Sequence, residues 1–283
     1  MIEGSIWITG AGGLIGNYLV QTAPKTTPPL QLFPLARSGL ELTNFPRVAE
    51  EFRRRPPGLI FHCAAMSRSP DCQTQPDLAR EINVAATAHL SELAAQIPFV
   101  FFSTDLVFDG RTGNYDETAA VNPLSIYAET KVEAENLVLR NKRHLVVRTS
   151  LNCGTSPTGD RGFDEQLKRA WRAGQTLTLF TDEFRCPIPA ELTARAVWEL
   201  ALHGQTGLVH VAGAERLSRW EIGCLFAKRW PDLKPQMKPA SLKEYRGAPR
   251  APDTSLNCAK AQQSLSFPLP KLSEWLGHEH SEP

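Results

Sequence analysis

Ser5-Ile6-Trp7-Ile8-Thr9-Gly10-Ala11-Gly12-Gly13-Leu14-Ile15-Gly16 decides the fold. A short β-rich run enters glycines spaced G-x-x-G-x-x-G, and apolar positions at helical spacing follow from about Leu14. This is the order of a strand, a tight phosphate-binding turn and a helix. Gly10 makes the turn, Gly13 lets the backbone approach a pyrophosphate, and Gly16 lets the helix pack closely. Gly12, Leu14 and Ile15 join them as candidate cofactor positions, because a helix N-terminus offers free N–H groups and partial positive charge.

Working outward, β-rich runs alternate with helical patterns. Further strands are expected at 31–36, 59–63, 99–103 and 145–149, with helices at 44–55, 75–96 and 123–141. Asn44 is placed to cap the second helix, and Pro56-Pro57 ends it. The run 99–103 is apolar throughout, as expected of a parallel strand covered on both faces. The alternation predicts an α/β chain with a doubly wound parallel sheet. Residues 1–160 then form the dinucleotide-binding part, and 161–283 are mainly a smaller C-terminal substrate-binding lobe. Strands expected at 176–180 and 208–211 help complete the sheet, and helices are expected at 163–173, 190–203 and 219–229. The polar stretch from Gly277 reads as a frayed tail, and His278, Glu279 and His280 in it as solvated rather than metal-binding.

The end of the second strand selects the cofactor. An acid there binds a ribose 2′-hydroxyl, whereas a cation accommodates a 2′-phosphate. Arg37-Ser38 stands at this point with no acid beside it, which favours NADP(H) and still admits NAD(H). Tyr127 and Lys131 are four apart on an expected helix and so share a face. A phenol titrates near pH 10, and a neighbouring ammonium is expected to draw it down towards working range. Thr104 follows the apolar fourth strand, at the carboxyl edge where open α/β sheets bind ligands. Its hydroxyl can hold a carbonyl while Tyr127 supplies a proton. Arg185 is a candidate cation for a phosphate-bearing substrate.

The chain has 283 residues, 42% hydrophobic and 22% charged, with formal net charge +1 and no long run of one sign. That excludes a nucleic-acid binder working through bulk charge. No stretch approaches the roughly 18 apolar residues of a spanning helix, and no leader pattern opens the sequence. Six cysteines without a C-x-x-C pair give no zinc or disulfide framework, so thiols in the cytoplasm are expected.

Several motifs in fixed order carry a resemblance. They are Gly10/Gly13/Gly16, His62-Cys63-Ala64-Ala65, Asn83-Val84 and Ser103-Thr104-Asp105-Leu106-Val107-Phe108. Pro123 through Lys131, Arg148-Thr149-Ser150, Asp182 with Pro187, and Leu256-Asn257 continue it. From Ile6 to about Gln263 the sequence resembles the extended short-chain dehydrogenase/reductases, specifically the dTDP-4-dehydrorhamnose reductase family. The resemblance implies a Rossmann fold and reduction of a carbonyl compound, such as a 4-keto nucleotide-sugar, by Thr104, Tyr127 and Lys131. It implies that Tyr127 and Lys131 also meet the cofactor, with Cys63, Ala64, Ala65, Asn83 and Ser103, and with Glu41 and Leu42 near the adenine. Ser67, Asp105, Ser150 and Arg185 are the substrate positions, and a homodimer is compatible with it. Leu106, Leu151-Asn152-Cys153-Gly154 and Ser255 depart from the family where it contacts its nucleotide-sugar. Two alternatives stay open: a sugar-nucleotide epimerase, and a dinucleotide-binding regulatory subunit resembling the methionine adenosyltransferase β subunit. Dehydration ranks low, because Leu106 replaces the carboxylate expected after Asp105.

Overall fold

The computed structural model describes residues 4–25 and 29–278. Glu279 and His280 lie outside them, so the tail reading is met only at its start, where the chain is helical through His278 rather than frayed.

The first half alternates β1 (Ser5–Thr9), α1 (Leu14–Gln21), β2 (Leu32–Leu35), α2 (Phe45–Arg54) and β3 (Pro57–His62). Next come α3 (Ser69–Thr74), α4 (Pro76–Arg80), a π-turn (Glu81–Ala85), α5 (Ala86–Leu93), β4 (Phe99–Thr104), α6 (Ile126–Val138) and β5 (Leu145–Thr149). The second half holds β6 (Asn152–Cys153), α7 (Phe163–Arg172), β7 (Leu177–Phe180), β8 (Phe184–Arg185), β9 (Ile188–Pro189), α8 (Ala190–Leu202) and β10 (Gly207–Val211). It closes with β11 (Leu217–Ser218), α9 (Arg219–Arg229), β12 (Met237–Ala240), α10 (Ala259–Gln262) and α11 (Leu272–His278).

Six strands form one sheet in the order β10-β5-β4-β3-β1-β2, and every pairing in it is parallel. This is the Rossmann arrangement, with its switch point between β1 and β3, where the ligand crevice opens at the carboxyl ends of the strands. Side chains alternate strictly between its faces. Ile6, Ile8, Leu59, Phe61, Val100, Phe102, Leu145 and Val147 pack with α1 and α8. Trp7, Ile60, Phe99, Phe101 and Val146 pack with α2, α5 and α6. Burying such side chains contributes roughly 1.5–3 kcal/mol each. Trp198 of α8 lies edge-on against Phe61 and donates its indole N–H to the Leu19 carbonyl at 2.9 Å, which ties α8 to both sheet and α1. Pro34 is tolerated inside β2 because that strand is an edge.

Two expectations change. Gly207–Val211 joins the sheet beside β5, but Leu177–Phe180 does not; it pairs in parallel with Met237–Ala240 in a separate two-stranded sheet. The long helix expected at 75–96 is broken into α4, the π-turn and α5. Beyond the sheet, α7, α9 and α11 enclose a second apolar cluster around Phe163, Trp171, Phe226 and Leu272. Among the described residues no helix is long and apolar enough to cross a membrane.

Candidate active site

The glycine loop is shaped for a dinucleotide. Gly10 has φ 69°, and a Cβ there would come within 2.7 Å of the Ala64 backbone N. A side chain at Gly16 would collide with the Gly10 carbonyl, so helix and turn close only on glycine. Gly13 is the N-cap of α1 and no side chain caps that helix. Gly13 N–H donates to the Gly10 carbonyl at 2.8 Å, and the N–H groups of Leu14 and Ile15 are left to an anion, while the Leu14 side chain is buried and that of Ile15 packs against the core. These features fit a bound pyrophosphate. Cys63 and Ala64 lie directly across the turn, after β3, and Ala65 follows them in the chain. At the end of β2, Arg37 is exposed and paired with Glu41 at 2.7 Å, with Ser38 exposed beside it. Leu42 packs against the core.

Behind the loop runs a chain of neutral hydrogen bonds. The Ala64 N–H donates to the Thr9 hydroxyl, which meets His62 Nδ1 at 2.7 Å. His62 Nε2 lies 2.9 Å from the Thr87 hydroxyl, which donates to the Asn83 carbonyl. The directions assign the Nε2–H tautomer to His62. Burial, helped by Lys131, lowers its pKa to about 3 and keeps it neutral. Asn83, in the π-turn, exchanges two hydrogen bonds with the Met66 backbone (2.8 and 3.1 Å) and donates to Thr130 at 3.0 Å. Its amide is engaged with protein, fastening the loop that carries exposed Ser67 to the helix that carries Tyr127 and Lys131.

Tyr127 and Lys131 stand one turn apart on α6, whose N-terminus Ser125 caps by accepting from Ala128 N–H. The Tyr127 phenol is hydrogen-bonded with Thr104, at the end of β4. Thr104 in turn accepts from Leu106 N–H at 3.2 Å. The neighbouring Ser103 hydroxyl is buried and has no partner among the described residues, so it is a spare donor at the same strand end. The ammonium of Lys131 is buried and sits 3.9 Å above the Phe101 ring; burial lowers its pKa to about 7. The expected pull of Lys131 on the phenol is not seen. Desolvation first, and then the charge of Asp105, push Tyr127 well above its usual range. The group is held as a neutral phenol.

Beneath it, Asp105 is fully buried and accepts from Arg185 Nε (2.6 Å), Ser150 (2.6 Å) and Thr254 (3.2 Å), with a second bond from Arg185 Nη2. Ser150 also accepts the Cys186 N–H at 3.2 Å. The sequence offers Asp105, Ser150 and Arg185 as substrate positions. They meet as one internally satisfied network under Tyr127. Cys186 is buried filler beside it.

Three residues in this region were not singled out from the sequence. Thr254 comes from a strap that bridges the loop at Tyr115 and carries no motif. Glu135 lies one turn past Lys131 and binds Arg148 of β5 at 2.9 and 2.7 Å, both groups buried. The third is Arg219, and its signal was available: Ser218 and Glu221 form a capping box, which puts Arg219 in the first turn of a helix. A cation there opposes the helix dipole.

Comparison with known proteins agrees with this geometry. The probable low-salt glycan biosynthesis reductase Agl14 of Haloferax volcanii is 30% identical over 233 residues, 77% of this chain and 77% of that protein. Methionine adenosyltransferase 2 subunit beta of Xenopus laevis is 25% identical over 276 residues, 90% of this chain and 81% of that one. The dTDP-4-dehydrorhamnose reductase of Bacillus anthracis, solved in complex with NADP, shares the fold with a TM-score of 0.88 at 22% identity, over 97% of each chain. The family model described as the RmlD substrate binding domain matches residues 4–279. With that match running over almost its whole length, the chain belongs to the RmlD substrate-binding-domain family, within the extended short-chain dehydrogenase/reductases.

Proposed function

We propose that the protein is an NADP(H)-dependent reductase of a carbonyl compound, a 4-keto nucleotide-sugar or a close relative. The observation that carries this is the protonated Tyr127 phenol, bonded to Thr104 at the carboxyl end of β4 and one turn from Lys131. A protonated phenol can give its proton to a developing alkoxide, which is the stronger base. The uncapped helix and glycine turn would hold the pyrophosphate, Arg37 the 2′-phosphate, and Lys131 the nicotinamide ribose. Bound dihydronicotinamide supplies the hydride that the carbonyl carbon accepts. Tyr127 gives its proton to the developing alkoxide, so that one hydride and one proton yield the alcohol. Thr104 holds the same oxygen, and the Asp105 network fixes the floor on which both stand. Residues past 161 would form most of the substrate lobe. The reductase of Haloferax volcanii supports this reading. We also place the protein in the cytoplasm, with its cysteines as thiols.

The test is NADPH consumption with a panel of 4-keto nucleotide-sugars and simple ketones. Tyr127→Phe should lower turnover by about a hundredfold or more and leave NADPH binding intact. Undiminished turnover in that variant would remove Tyr127 from the mechanism. The kinship with the methionine adenosyltransferase β subunit favours a second reading, a dinucleotide-binding regulatory subunit. NADPH binding without turnover, joined to co-purification with one partner at fixed stoichiometry, would decide for it.

A further inference from the structure

Strands β8 and β11 pair antiparallel, with Leu217 opposite Arg185 and Ser218 opposite Phe184. The next N–H, that of Arg219, donates to the Glu183 carbonyl at 2.9 Å. This short ladder gathers three arginines around two carboxylates. Arg185 is held by Asp105, and Arg250 is held by Glu183 at 2.7 and 2.9 Å. Each of those pairs is neutral. The guanidinium of Arg219 makes no hydrogen bond or ion pair among the described residues, although it lies close enough to Glu183, Arg185, Arg250 and Asp105 to feel all four charges. It is partly buried. Desolvation, ahead of any charge, lowers its pKa to about 10, and it remains cationic at neutral pH.

No carboxylate among the described residues bonds this cation, and Glu183 and Asp105, which attract it, are already paired with the other two arginines. It sits in the first turn of α9, against the dipole, and beside two other guanidinium groups. A half-buried charge without a partner costs free energy, so a local positive potential persists where it sits. That potential borders the reacting end of the crevice, since the same Arg185 and Asp105 act on the Tyr127 phenol. Arg185 was the cation expected to meet substrate, but Asp105 neutralises it.

We propose that Arg219 is a specificity-determining residue whose guanidinium fork takes an anionic oxygen group, phosphate or carboxylate, of the substrate whose carbonyl lies at Thr104 and Tyr127. The proposal rests on the carbonyl-reductase reading above. It adds the residue that would select the anionic part of that substrate. A guanidinium suits this task because its donors match two oxygens of one such group at once.

The experiment measures binding of inorganic pyrophosphate and of malonate by calorimetry to protein saturated with NADPH, which fills the glycine loop, for the wild type and for Arg219→Gln and Arg219→Lys. NADPH binding and thermal midpoint serve as folding controls. Arg219→Gln should weaken whichever anion binds by about tenfold or more, the loss expected when a hydrogen-bonded charge is removed, and Arg219→Lys should recover part of it. A loss confined to pyrophosphate assigns the phosphate source, and one confined to malonate the carboxylate source. In parallel, the preference in kcat/KM for an anionic over an uncharged ketone should fall by a similar factor in Arg219→Gln. Anion binding that depends on Arg219 without turnover of any ketone keeps the anion site and refutes the reductase reading. Turnover with neither anion affinity nor ketone preference changed in Arg219→Gln keeps the reductase and overturns the proposal, as does failure of both anions to bind the wild type.

Discussion

Arg37 and Glu41 meet at 2.7 Å on an exposed stretch of chain, four residues apart, where the 2′-phosphate of a cofactor would arrive. An exposed pair of this kind is worth about 0–1 kcal/mol, so a phosphate can displace the carboxylate from the guanidinium. The two anions cannot share it without repelling each other. Glu41 would then act as a placeholder that weakens NADPH binding while leaving NADH little affected. Glu41→Gln should tighten NADPH binding relative to NADH, and Arg37→Ala should weaken it by about tenfold, both read by titrating nucleotide fluorescence. Equal changes for the two cofactors would take Arg37 out of 2′-phosphate recognition. The residue types here were readable from the strand-end position alone. Their mutual pairing was not, because Arg37 was read against a ligand and Glu41 against the adenine.

At the scale of an element, α6 carries Tyr127, Lys131 and Glu135 at successive intervals of four, so one stripe holds the phenol, the ammonium and a structural anchor. Glu135 bolts the helix to β5 through Arg148, whose guanidinium also lies over the Phe108 ring at 5.1 Å. Removing one partner strands the other charge in the interior. Glu135→Leu should destabilise the protein by about 3–5 kcal/mol, and the double variant with Arg148→Met should recover most of that. Urea denaturation of the two variants checks this. A double variant as unstable as the single one would mean that the cost is lost packing and not a stranded charge. The first two positions of the stripe were legible as Y-x-x-x-K, with Thr104 supplying the context. Glu135 was not, because a glutamate on a helix face is solvated far more often than it is buried.

For the whole molecule, the buried groups make global stability depend on pH in separable windows. Lys131 titrates near 7 in the fold and at 10.5 when free. Between those values the unfolded chain binds the extra proton, so stability rises as pH increases through this window, and the penalty for the buried ammonium is fully present below it. His62, lowered to about 3 from 6.5, has the same sign at lower pH. Asp164, raised to about 6 from 3.8 chiefly by burial, has the opposite sign and loses stability as pH rises through its own range. Burial raises the Cys63 thiol, which matters only at higher pH. Cys186 and Cys258, raised to about 11 and about 12, act in the same sense as Cys63 from about pH 8 upward, so between about pH 7 and 8 Lys131 dominates. The urea midpoint of the ligand-free wild type should climb across that interval, and Lys131→Met should flatten the climb. Parallel profiles would show that the ammonium is not desolvated in the fold.

Local sequence by itself determined the strands and helices that make the sheet. Ser5–Thr9 and Leu145–Thr149 are apolar runs bounded by glycines or by a tail of polar residues, and their limits coincide with the observed ones. It also determined the glycine turn, since only glycine tolerates the φ of 69° at Gly10 and the close approach at Gly16. Periodicity reports which face of an element is buried, and a turn reports its own backbone. Neither reports a partner. Arg185 and Asp105 are 80 residues apart, and Thr254 and Asp105 are 149 apart. Leu177–Phe180 is as strand-like as β10, yet it pairs outside the sheet because Met237–Ala240 lies alongside it. Tertiary structure alone decided which of three clustered arginines is left without a hydrogen-bonded carboxylate among the described residues. That outcome depends on the positions of two carboxylates brought together across the fold, and leaves Arg219 as the cation without a hydrogen bond or ion pair among the described residues.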